Sequence, residues 1–217
     1  MSETTEIRQP KGIDLYQASG DNIDALKARL FKEAQGRELY YQELTPTDGE
    51  NGQVQVFGYP RSQVMDLIYE TAYPMVKFID ERAAIKVKSN RAVTDFFVIV
   101  QTRRSGNYIG NHGQTLDALE LLVAHCVSRR FPRYVSLTVD VDNYRRKRSA
   151  FLESTCKRVI RDIERDHRER PLRNLLPKER KFVHSLMADH PYLTTESRGE
   201  GRERTLYIKP RDDIRES

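Results

Sequence analysis

The chain has 217 residues, 38% hydrophobic and 32% charged, with no Trp, which is room for two small domains but lean for one large core. Its longest purely apolar run, Phe96 to Val100, is far short of a bilayer span, and Met1 to Glu6 lacks the basic-then-apolar pattern of a secretion leader, so a cytoplasmic protein without a membrane span is expected. The net charge of +5 divides unevenly, with −5 over residues 1–83 and +10 over the rest, a distribution that favours a polyanionic partner for the basic body.

Residues 1–20 carry little periodicity and read as a flexible tail. Asp21-Asn22 can cap a helix in which Ile23, Leu26, Leu30 and Phe31 share a face. Leu39 to Leu44 and Gln53 to Phe57 then alternate as a strand pair around a polar loop at 45–52, which holds a glycine pair at Gly49 and Gly52. This α-β-β segment, residues 21–60, shows no chemistry of its own.

From Ser62, the residues Val64, Leu67, Ile68, Ala72, Met75, Val76 and Ile79 predict an amphipathic helix, bent at Pro74. Strands follow at Ala84 to Lys88 and Val93 to Gln101, then a short helix and a glycine hinge from Ile109 to Leu116. Leu116, Leu119, Val123, Cys126 and Val127 repeat at helical spacing, and Tyr134 to Asp142 alternates as a third strand. Three strands backed by helices make an α+β domain over residues 61–142. Within the hinge, Gly110 and Gly113 can take backbone angles that other residues avoid, and the helix that follows points its free N–H groups into the gap. A phosphate is welcome there. The ordinary alternative is a plain helix-linking turn.

Asn143 to Arg170 reads as one long basic helix, a connector whose apolar seam is Leu152, Cys156, Val159 and Ile163. Its cluster Arg145, Arg146, Lys147 and Arg148 has no acidic neighbour in sequence before Glu153, and offers a rail to phosphates. Pro171-Leu172 is expected to break that helix and Pro177 to start another, with Phe182, Val183, Leu186 and Met187 on its buried side. Arg180 and His184, four apart, share a different face. Tyr192 to Glu196 and Thr205 to Ile208 predict strands joined by the turn Arg198 to Arg202. This places a second small domain at 171–211 and a tail at 212–217. The two cysteines, Cys126 and Cys156, fall on apolar helix sides and are expected as buried free thiols, not a disulfide or a metal pair.

The order of elements, with the string Ile-Gly-x-x-Gly-Gln-Thr-Leu-Asp-Ala-Leu from Ile109 to Leu119, closely resembles a type II KH domain. The stretch Asp140 to Arg148 is similar to the corresponding part of the bacterial Jag proteins, also called KhpB or EloR. The segment from Pro177 onward resembles the R-three-H domain, named for an Arg and a His separated by three residues. The resemblance covers residues 62–210.

It implies a non-catalytic regulator of single-stranded RNA, with single-stranded DNA as an alternative ligand, linked to cell elongation and the envelope. The glycine loop would clamp the backbone of about four nucleotides, through Ile109, Gly110, Asn111, His112, Gly113 and Gln114. Arg145, Arg146 and Arg148 would add phosphate contacts, as would Arg180, Lys181, His184, Arg202 and Arg204 from the second module. No cofactor and no metal are implied. A small KH-domain protein partner (KhpA-like) and an indirect link to a YidC/SpoIIIJ-type insertase come with the resemblance, and a protein-interaction adaptor is the competing reading. Two departures stand out. The loop carries Asn111-His112 where many KH loops carry a cation, and the amino-terminal domain common in Jag proteins is not recognisable in residues 1–60. The five histidines show no metal-ligand spacing with each other or with cysteine, which speaks against an enzyme.

Overall fold

The computed structural model describes residues 10–45 and 53–211, apart from the side chain of Arg202. These residues form an α+β protein of two units, Met1–Asp142 and Asn143–Ser217.

The first unit opens with β1 (Tyr16–Gly20), α1 (Ile23–Glu33), β2 (Leu39–Leu44) and β3 (Val54–Pro60). They make an antiparallel sheet of order β1-β3-β2. The expected tail at 1–20 is therefore corrected: β1 pairs along β3, with Tyr16 opposite Gly58 and Gly20 opposite Val54. A five-residue strand with one buried residue, Ala18, leaves little local signal. Asn22 caps α1 as expected, its side chain accepting from the Ala25 N–H at 3.0 Å. The glycine pair expected in the loop at 45–52 lies outside the described residues.

β3 runs straight into α2 (Arg61–Ile79) through Pro60, which ends the strand and stands at the helix start without a capping bond. α2 continues through Pro74 and buries Val64, Leu67, Ile68, Ala72 and Val76. Then come β4 (Ala84–Ser89), β5 (Asp95–Gln101), α3 (Ser105–Ile109), a single 3-10 turn at Asn111–Gly113, α4 (Gln114–Ser128) and β6 (Ser136–Val141). The second sheet has the order β4-β5-β6, antiparallel between β4 and β5, parallel between β5 and β6. The parallel pair requires a crossover, and α3 with α4 supplies it. β5 begins at Asp95 and not at Val93, because Val93 sits at φ +53° in a tight turn. In that turn the Asn90 side-chain oxygen accepts from the Thr94 N–H.

The two sheets of this unit are joined by an aromatic cluster and one amide. Tyr40 meets Phe96 edge-on at 5.2 Å, and Tyr59 meets Phe131 at 5.0 Å. Buried Gln42 donates to the Arg133 carbonyl and accepts from the Arg133 N–H, both at 3.0 Å. Residues 16–60 are thus packed onto the second sheet's core. One expectation for α4 needs correction: Cys126 is exposed, and Ala124 is the residue buried between Val123 and Val127.

The second unit comprises α5 (Tyr144–Asp166), β7 (Arg170–Leu172), α6 (Pro177–Met187), β8 (Leu193–Arg198) and β9 (Thr205–Pro210), with sheet order β7-β9-β8. α5 stops four residues before the expected Arg170: His167 takes φ +54°, and its N–H caps the Ile163 carbonyl at 2.7 Å. The chain then reverses into β7, which is too short to be legible without its partner β9. The predicted seam of α5 is buried against Val183 and Met187 of α6 and Leu206 and Ile208 of β9. So α5 contributes to the core of this unit, beyond any role as a connector. Leu186, expected inside, is 43% exposed.

Candidate nucleic-acid interface

The glycine hinge is a backbone construction. Gly110 adopts φ +64°, ψ −160°, a region that is essentially glycine-only. A Cβ placed there would lie 2.0 Å from Thr115 Oγ1, so neither the angle nor the space admits a side chain. His112 follows at φ +53° and Gly113 at φ +92°, which turns the chain into α4. No side chain caps that helix start among the described residues, and the Gln114 N–H donates to the Asn111 carbonyl within the bend. Gly110, Asn111, Gln114 and Thr115 are exposed, His112 and Ile109 half-buried, and Gly113 buried. The bend therefore lies at the surface.

Behind it stands a polar buttress. Tyr108, fully buried, donates to the Val76 carbonyl at 2.6 Å and ties α3 to α2. Asp80 accepts from the Thr102 hydroxyl at 2.5 Å and from the Arg82 N–H at 3.1 Å. These bonds, the hydroxyl first, hold its carboxyl below the usual carboxylate range. Asp142 receives the Thr102 N–H at 3.4 Å. Arg103 and Arg104, both exposed, lead into α3. Sequence reasoning passed over this pair, although two arginines directly ahead of a glycine bend were visible as a signal.

In the second unit the candidate site is made of side chains. α6 begins at Pro177, and Glu179, only 6% exposed, accepts the Leu176 N–H at 2.9 Å. The same carboxylate takes a two-pronged contact from Arg148 of α5, at 2.7 Å and 3.4 Å. That corrects the expectation of an acid-free cluster at 145–148, since the acid arrives from thirty-one residues away. Glu179 raises the Arg148 pKa further by this bond. Arg146 and Lys147 are exposed, and Arg145 half-buried.

The residue after Glu179, Arg180, is half-buried and donates through Nη1 to the Leu175 carbonyl at 2.7 Å, which fixes the guanidinium. His184 is exposed, with Nδ1 2.5 Å from Thr195 Oγ1 on β8. Lys181 and Arg204 are exposed at the surface, and the side chain of Arg202 lies outside the described atoms. Elsewhere on this sheet, Arg198 bridges Glu169 and Glu196 and lies over the Tyr207 ring at 4.5 Å. Those charges satisfy one another. Among the described residues, no group of three His, Cys, Asp or Glu could hold a metal ion, and no helix is long and apolar enough to cross a membrane.

Residues 150–210, the stretch that includes α6 with Arg180 and His184, match the R-three-H domain. The chain therefore carries an R-three-H domain. Over half its length it is also homologous to proteins named RNA-binding protein KhpB. That of Clostridium symbiosum is 32% identical over 116 residues, 54% of this chain and 52% of the relative. That of Bacillus subtilis is 33% identical over 102 residues, 46% and 49% respectively, and that of Lactiplantibacillus plantarum 29% over 107 residues, 49% and 33%. The chain spans about half, or less, of the length of these curated relatives.

Proposed function

We propose that this chain is a non-catalytic, cytoplasmic binder of single-stranded RNA that grips its ligand in two places. Residues 61–142 are read as a type II KH domain. In support, the elements run α2-β4-β5-α3-α4-β6, and a parallel β5-β6 pair encloses the glycine bend. The observation that carries the reading is that bend: exposed, glycine-only at Gly110, and opening onto an uncapped helix start. Backbone N–H groups there meet a phosphate without any cation, which suits a loop carrying Asn111-His112. Arg180 and His184 of the R-three-H domain add a second, charged grip. Tethering two weak contacts can raise avidity on the order of a hundredfold. Regulation of transcripts tied to cell elongation and the envelope is the role this reading carries forward.

The test is a binding titration of the full chain with short single-stranded RNA. Replacing Gly110 and Gly113 by Asp should lower affinity roughly tenfold or more, because fixed carboxylates then face phosphate. Wild-type affinity should fall with salt at a log–log slope near −0.7 per phosphate neutralised. A flat salt titration, or equal affinity of the double variant, sinks the reading.

A second reading, pairing with another KH-type protein, is favoured by one observation. On the solvent side of α4, Leu121 and Leu122 are 67% and 56% exposed, an apolar pair that a partner could cover. Leu121→Asp with Leu122→Asp should abolish such pairing while RNA binding survives, and the glycine variants should do the reverse.

A further inference from the structure

The second sheet of the first unit has helices on one face only. β5 alternates strictly: Phe96, Val98 and Val100 are buried, whereas Phe97 keeps 38% of its surface exposed and Ile99 is half-buried on the other side. The register places Lys88 directly opposite Phe97, and Lys86 opposite Ile99. Both lysines are exposed, and among the described residues neither forms an ion pair. From β6, Thr138 stands beside Phe97 and Asp140 beside Ile99. Asp95, at the far end of the same face, is held by the Ser136 and Thr94 hydroxyls, each at 2.7 Å.

We infer that this open sheet face is a further single-strand contact, in which a base stacks on Phe97 while Lys86 and Lys88 take the flanking phosphates. The inference rests on the RNA reading above and adds a surface to it. An aromatic ring in mid-sheet accepts any base by its π-face, and cations one strand away lie within reach of the connecting backbone. Cross-strand neighbours stand about 5 Å apart, so ring and lysines can engage one nucleotide step together. The charge is polarised across the face: the lysines line β4 and Asp140 lies on β6, while Asp95 closes the end of β5 with its carboxylate held by hydroxyls. The sugar-phosphate chain therefore tracks β4 and the bases point across β5. A protein partner fits less well, because beyond Phe97 and Ile99 the apolar surface on this face is the small Ala84.

The experiment uses the full chain, short single-stranded RNA of mixed sequence, and thermal melts to verify folding. Phe97→Ala should weaken binding roughly five- to a hundredfold. Phe97→Leu should behave like Phe97→Ala, and Phe97→Tyr like the wild type. Lys86→Glu with Lys88→Glu should weaken binding and flatten the salt slope by about 0.7 per lysine. Phe97→Leu binding as the wild type does would show that the ring is needed only for packing and would overturn the inference. If the Gly110 and Gly113 variants lose affinity while all Phe97 and lysine variants keep it, the inference falls and the first reading stands. If the wild type binds no RNA, both fall. Loss of a protein association in the Phe97 variants with RNA affinity unchanged also overturns it.

Discussion

On the reading proposed above, the glycine bend of the first unit and helix α6 of the second would meet phosphate by opposite means. At the bend the proposed donors are backbone N–H groups beyond Gly110, whose own N–H donates to the Gly106 carbonyl, and a side chain at Gly110 is an obstruction. At Arg180 and His184 the donors are side chains, each anchored by one bond to a neighbour, the Leu175 carbonyl and the Thr195 hydroxyl. A backbone site depends first on the shape the chain holds. A side-chain site tolerates changes of shape but depends on its anchors and on its ionic surroundings.

The sharpest way to break the comparison is to remove the anchor beneath α6. Glu179→Ala strips the N–H acceptor from the start of α6 and leaves Arg148, whose side chain is 21% exposed, without its carboxylate. The second unit should lose about 2–4 kcal/mol in denaturant unfolding, less than a fully buried pair would. Local melting should be confined to that unit in hydrogen exchange, and protection unchanged in α6 would refute the anchoring role.

Gly110→Ala is expected to cost about 1–3 kcal/mol in the first unit, from backbone strain and the contact with Thr115. Adding Thr115→Ala should recover part of the loss, since it clears the space but leaves φ at a positive value. Full recovery would mean that the backbone angle carries no cost.

A smaller effect separates the two grips. Arg180→Ala should flatten the salt dependence of RNA binding by about 0.7 in log–log slope, whereas Gly110→Ala should weaken binding with little change in slope. Arg180→Lys should restore the slope but not the full affinity, because a lysine cannot hold the Leu175 carbonyl with the same fork.

The smallest effect is one of pH. Glu196 is held down at about 2, by Arg198 first and then Lys209. A carboxylate depressed on folding stabilises the native state above its unfolded value, and that contribution fades as pH falls from 4.5 toward 2. Both partners lie at the surface, so Glu196→Gln should shift the acid unfolding profile of the second unit only slightly, and high salt should erase the difference.

Much of this was legible from residue order. The seams of α2 and α5, the Asn22 cap, the Pro177 helix start and the glycine pair all rest on local rules of period, capping and backbone freedom. What escaped were contacts that depend on a distant partner. β1 and β7 exist only because β3 and β9 offer edges to pair with. Cys126 and Leu186 lie on faces that helical period alone assigned to the core, but neighbouring elements cover the helix slightly to one side.

The sequence by itself therefore determined which segments coil, which extend, and where a bend free of side chains must fall, because each follows from the few residues on either side. Tertiary structure alone decided which charges are available. Arg148 reads as one cation among four until Glu179 folds back onto it, and Lys86 and Lys88 gain meaning only when strand register sets them beside Phe97. Charge pairing and cross-strand proximity are properties of distance in space, and local sequence carries no record of them.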